Sequence, residues 1–126
     1  MTIRYLHTKL RVRDLDVAIA FYEAAFGYTL RSRRPGPDST EIAFLRLPGE
    51  ENEIQLARTP GEEAFAVPER LLHLAFRVED LDAVMGSAIA AGATLRAAPY
   101  TLPSGSRVAF LRDPDGYDLE LVQKPR

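Results

Sequence analysis

Two stretches of the chain carry one hydrophobic pattern. In Leu71-Leu72-His73-Leu74-Ala75-Phe76-Arg77-Val78, the residues Leu72, Leu74, Phe76 and Val78 fall on one side at a period of two, with His73, Ala75 and Arg77 on the other. That alternation predicts a strand with one face toward a core and one polar face carrying a histidine. Tyr5-Leu6-His7-Thr8-Lys9-Leu10-Arg11-Val12 repeats it, with Leu6, Leu10 and Val12 set against His7, Lys9 and Arg11. A shift of 66 positions lays His73 on His7, Arg77 on Arg11, and Asp80-Leu81-Asp82 on Asp14-Leu15-Asp16. Both histidines of the protein therefore hold the same place in two copies of one unit.

After each strand the period changes from two to helical. Asp14 is placed to cap a helix that buries Leu15, Ala18, Ile19, Tyr22 and Phe26, and Gly27 ends it. Strands are predicted at residues 28–33, 41–47 and 53–57, with a loop at Pro35-Gly36-Pro37-Asp38. The order then repeats: a helix over residues 80–91 and strands at 93–97, 107–111 and 117–123, the last two joined by the turn Asp113-Pro114-Asp115-Gly116. The expected fold is α+β, two tandem βαβββ modules forming a cupped mixed sheet with helices on its outer face. Module one covers residues 1–58 and module two residues 71–126, with a Pro-, Gly- and Glu-rich connector at 59–70 inside a single domain.

The fourth strands of the modules also match, now shifted by 65, so that Glu120 falls on Gln55. Ile54 and Leu56 flank Gln55, as Leu119 and Leu121 flank Glu120. Once the helices cover the apolar side (Leu6, Leu10, Ile54, Leu56, Leu72, Leu74, Leu119 and Leu121), His7, Gln55, His73 and Glu120 are left on the opposite side. Cysteine is absent, so any metal must be held by nitrogen and oxygen. Two imidazoles, a carboxylate and a carboxamide oxygen form such a set, suited to a borderline divalent ion.

Charge narrows the function classes further. A net charge of -2 provides no general attraction to nucleic acid or to an anionic membrane. No apolar run reaches the length of a membrane-spanning helix and no signal-peptide core is present, so the expectation is a soluble, cytoplasmic protein.

These motifs resemble the vicinal oxygen chelate superfamily, and within it glyoxalase I. The likeness rests on Leu6-His7-Thr8, Leu10-Arg11-Val12, Asp14-Leu15, Phe21-Tyr22 and Gly27, and on Asp113-Pro114-Asp115-Gly116-Tyr117 followed by Leu119-Glu120-Leu121. The resemblance implies a metal-dependent lyase or isomerase, with nickel, cobalt or zinc as cofactor and His7, Gln55, His73 and Glu120 as ligands. A substrate chelated through two neighbouring oxygens, such as a glutathione adduct, would pass through an enediolate, with Glu120 as the catalytic base. Arg11 matches an arginine that binds a glutathione carboxylate. A homodimer is expected, because relatives build each site at a subunit interface.

Two positions depart from that pattern. Gln55 stands where related bacterial enzymes have glutamate, and the asparagine expected just beyond it is Thr59, or Arg58 in a slipped register. The set histidine, glutamine, histidine, glutamate resembles methylmalonyl-CoA epimerase, with Glu41 in the place of that enzyme's second base. His7, His73 and Glu120 alone resemble a 2-His-1-carboxylate triad, which suits iron in a dioxygenase; a thiol transferase of the same superfamily is a further alternative. Drug sequestration, as in bleomycin-binding proteins, ranks last because the ligand positions are filled.

Overall fold

Asp14 and Asp80 start the two helices in the same way. The computed structural model describes all of residues 1–126, and in it each aspartate accepts a hydrogen bond from the backbone N–H three residues on, Val17 and Ala83, at 3.0 Å. The helices are α1 (Leu15–Phe26) and α2 (Leu81–Ala91). Gly27 closes α1 at φ +80°, its N–H donating to Glu23 O at 3.0 Å; a side chain there would be strained in the left-handed region.

The chain divides into two compact units, Met1–Phe65 and Ala66–Arg126, and the boundary falls inside the predicted connector. The first unit runs β1 (His7–Arg11), α1, β2 (Thr29–Pro35), β3 (Glu41–Arg46) and β4 (Glu53–Arg58), with one 3-10 turn at Pro37–Ser39. The second runs β5 (His73–Arg77), α2, β6 (Thr94–Thr101), β7 (Arg107–Arg112) and β8 (Asp118–Gln123). Each unit has its own four-stranded mixed sheet, in the orders β1-β4-β3-β2 and β5-β8-β7-β6. The predicted βαβββ pattern is present, with hydrogen bonding confined to two separate sheets.

In both sheets the first strand lies parallel to the fourth, and the rest are antiparallel. Helix α1 covers the face of β3 and β4 that carries Ala43, Leu45, Ile54 and Leu56, and Leu10 of β1 shares that burial. Helix α2 covers Ala109, Leu111, Leu119 and Leu121 in the same way. Phe21 and Ala25 join the predicted apolar stripe of α1. Leu6 and Leu72, expected on this covered side, are instead 69% and 38% exposed. Both precede the first paired residue of their strand and lie beyond the reach of the helix. Where α1 meets β2, Tyr28 stacks edge-on against Tyr22, and burial followed by the nearby Glu50 pushes its phenol up to about 12.

The turn between β7 and β8 is held from within. Asp113 Oδ1 accepts from the N–H groups of Asp115 and Tyr117, both at 2.9 Å, and Gly116 takes φ +101° to bring the chain round. The matching turn of the first unit, residues 47–52, is one residue longer than residues 113–117. That extra residue accounts for the change of shift from 66 to 65 seen in the sequence. Asp113→Ala should leave those two buried N–H groups without an acceptor and destabilise the fold by on the order of 2–4 kcal/mol, read as a lowered urea midpoint.

Candidate functional site

Strand pairing orders the open face of the first unit into rows. His7 is in register with Glu53, Lys9 with Gln55, and Arg11 with Ala57. Across β4 and β3, Gln55 pairs with Phe44 and Ala57 with Ile42; across β3 and β2, Phe44 pairs with Ser32 and Ile42 with Arg34. His7 meets Phe44 edge-on, with ring centroids 5.4 Å apart, and Phe44 is the cross-strand partner of Gln55. Leu6, His7, Arg31, Ser32, Arg34, Phe44, Arg46 and Glu53 line a pocket of about 410 Å³.

The second unit repeats these rows with different chemistry. His73 pairs with Asp118, and Ala75 with Glu120. Glu120 pairs with Phe110, whose ring lies edge-on to His73 at 5.8 Å. His73 Nε2 stands 3.7 Å from Glu120 Oε1. A pocket of about 700 Å³ opens here, lined by Glu69, Arg70, His73, Arg96, Ala97, Phe110 and Asp118. Asp118 is only 3% exposed and is the charge centre of this wall. Its Oδ2 accepts from Arg96 Nη1 at 3.0 Å and from the Arg70 N–H at 3.2 Å, and its Oδ1 from Arg112 Nε at 3.4 Å.

The structure thus puts His7 and Gln55 on one face of the first sheet and brings His73 and Glu120 together on the second, in each unit on the face opposite the helix. No three His, Cys, Asp or Glu side chains gather into one cluster. The separation within the second pair can be compared with a coordination sphere. Donors each about 2.0–2.2 Å from one ion stand roughly 3–3.5 Å apart, so 3.7 Å is within a few tenths of an ångström of what two ligands of one metal need. Arg11 lies on the same face as His7, half-exposed, with Nη2 3.4 Å from Glu62 Oε1.

Glu41 does not join this group. It shares its side of β3 with the buried Ala43 and Leu45, and its carboxylate accepts from Arg58 Nη1 at 2.8 Å while Arg33 approaches at 3.6 Å. Strand alternation therefore puts it on the opposite face from His7 and Gln55, and the expectation that Glu41 acts as a base in the site is corrected. Sequence reasoning missed Asp118, whose partners come from β6, β7 and the connector. It had Lys9 on the correct face without noting that Gln55 is its direct neighbour.

The family described as the Glyoxalase/Bleomycin resistance protein/Dioxygenase superfamily matches residues 4–121. The chain belongs to this superfamily. Among its relatives in the glyoxalase superfamily is a probable lactoylglutathione lyase of Vibrio cholerae, 34% identical over 125 residues that span 95% of this chain and 90% of the relative. Glyoxalase I from Zea mays superposes with a TM-score of 0.84 at 30% identity, over 98% of this chain and 45% of that one. The chain thus spans about half of the maize protein's length. A trypanothione-dependent glyoxalase I from Leishmania major superposes with a TM-score of 0.80 at 31% identity, over 98% of this chain and 88% of that one. No helix is long and apolar enough to cross a membrane.

Asp118→Asn should show how much of the second pocket depends on one buried charge. Arg96 would lose its counter-charge while Arg112 keeps Glu69 at 2.9 Å, at a cost of about 2–4 kcal/mol, visible as a lowered thermal midpoint that added salt does not restore.

Proposed function

We propose that the protein is a metal-dependent isomerase of the glyoxalase I type, converting the hemithioacetal of glutathione and a 2-oxoaldehyde into the corresponding 2-hydroxyacyl thioester. The observation that carries this is that the open face of each sheet bears one histidine and one oxygen donor, His7 and Gln55 on the first, and His73 at 3.7 Å from Glu120 on the second. Relatives named lactoylglutathione lyase at 31–34% identity support it.

His7, Gln55, His73 and Glu120 would hold a divalent ion, nickel, cobalt or zinc. When bound, such an ion supplies a Lewis acid toward two neighbouring oxygens of the substrate. The chain's own contribution to proton transfer falls to Glu120. Of the four, only this residue has a carboxylate, because an amide such as Gln55 accepts no proton near neutral pH. Glu120 takes the proton from the carbon that bears sulfur and returns it to the adjacent carbonyl carbon. Phe44 and Phe110 form apolar walls beside the two histidines and keep water from competing for that proton. Arg11 exchanges its exposed partner Glu62 for a carboxylate of the glutathione moiety. The active species is proposed to be a homodimer.

Metal analysis with activity tests the ligand set. His7→Ala, His73→Ala and Glu120→Ala are each expected to lose bound metal and at least about 10²-fold in activity, as a missing proton-transfer group or ligand does. Full metal content and full activity in any one of them would remove that residue from the set.

Gln55→Glu tests the departure from the usual ligands. The change restores a second carboxylate, so metal affinity should rise. Turnover of the methylglyoxal–glutathione adduct should rise too, by a factor that reaches the ~10²–10⁴ range of a proton-transfer group only if the new carboxylate acts as one. Unaltered affinity and unaltered turnover would place Gln55 outside the ligand set.

A further inference from the structure

The two pockets beside the histidines descend from the same positions, yet their charges differ. Both edge strands carry an irregularity at the same place, between Leu30 and Ser32 in β2 and between Leu95 and Ala97 in β6, and each leaves an arginine, Arg31 or Arg96, at the break. In the second unit that arginine is neutralised, since Arg96 binds the buried Asp118 at 3.0 Å. Its pocket is lined by two arginines and two carboxylates. The pocket of the first unit is lined by Arg31, Arg34 and Arg46 against the single carboxylate of Glu53.

Glu53 is already engaged by Arg46, at 3.5 Å. Even so, Arg46 Nε is buried without a hydrogen-bond partner, so this wall is short of acceptors. No carboxylate pairs with Arg31 or Arg34; Arg34 lies over the Phe44 ring, its guanidinium carbon 5.1 Å from the centroid. That is the ring His7 meets edge-on. Lys9, beside Gln55 in the next row, adds another cation with no partner. Two guanidinium groups with open forks, held within one side chain of a candidate donor, are suited to a carboxylate or phosphate, which they can engage by charge-assisted hydrogen bonds.

We propose that the pocket bounded by Arg31 and Arg34 binds an anionic group on the substrate. It would then accept a 2-oxoaldehyde adduct that carries a carboxylate on its carbonyl side in preference to one that ends in a methyl group. The proposal rests on the isomerase reading for its substrate class, while the anion site itself stands on the charge balance of this pocket. Arg11 is separate from it, because Arg11 and Arg34 lie at opposite edges of the sheet, on β1 and β2, with β4 and β3 between them.

Two measurements on the full-length protein test this. Binding of glutarate and of inorganic phosphate is followed by titration calorimetry at low and high salt, for the wild type, Arg31→Ser, Arg34→Ser and the surface control Arg4→Ala. Turnover is compared for the glutathione adducts of methylglyoxal and of 4,5-dioxopentanoate. Both pocket arginines lie on an exposed strand, so their removal should leave the fold intact. The expected result is saturable binding that Arg31→Ser and Arg34→Ser each weaken about tenfold, the loss of one charge-assisted contact, with Arg4→Ala unchanged. In the wild type kcat/KM should favour the carboxylate-bearing adduct by about tenfold or more, and the double variant should bring the ratio close to one. Anion binding of this kind with no turnover of either adduct would uphold the anion site and overturn the isomerase reading. Turnover of both adducts at equal kcat/KM would overturn the preference for a carboxylate-bearing adduct, and anion binding unaffected by either pocket substitution would overturn the anion site; either result leaves the isomerase reading standing.

Discussion

The arrangement depends on one register: the parallel pairing of the first strand of each unit with the fourth. Side chains in a strand alternate with a period of two, so slipping this pairing by one residue would send Gln55 or Glu120 to the helix side and a leucine to the open side. Burial makes such a slip costly. Leu10, Ile54 and Leu56 in one unit, and Leu119 and Leu121 in the other, are at most 5% exposed. The apolar core therefore fixes which polar residues meet on the far face. Donor geometry comes as a by-product of hydrophobic packing, and the donors themselves add little to the stability of the sheet.

Around that shared frame the two units differ in how they settle charge. Asp118 is buried and satisfied by two arginines and a backbone N–H, which ties β6, β7 and the connector to β8. Glu53, the counterpart on β4, is longer and less buried, and holds only Arg46. A carboxylate one methylene longer, under a strand edge with more solvent, leaves the equivalent wall with unneutralised cations. One unit thus spends its charges on internal cohesion, while the other keeps them open to a ligand.

Much of this was legible in the chain because the governing signals are local. The aspartate caps, the glycine after α1 and the alternation around each histidine all act within a few residues, and they occur twice. Glu41 was misread because β3 is apolar on both sides. Ile42 and Phe44 face the open side and Ala43 and Leu45 the helix, so alternation alone names no inner face. Asp118 escaped notice because its role comes from Arg96, which is 22 positions away in sequence. Arg31 was likewise invisible, since a strand irregularity leaves no composition of its own. Leu6 and Leu72 were overextended because the apolar pattern begins before the first paired residue, where the helix does not cover it.

The outer strand β2 has one more property that follows from its make-up. It is exposed at every residue from Thr29 to Pro35, lies at the rim of its sheet, and presents unpaired backbone groups to solvent. An open rim of that kind is the ordinary starting point for chains to add to one another and polymerise. Here it is broken in the middle, carries Arg31, Arg33 and Arg34, and stops at a proline that has no N–H to offer. A second copy approaching it would meet its own positive charge and an irregular ladder. The same arginines and the same break that shape the pocket wall thus also act as the strand's guard against strand-to-strand addition.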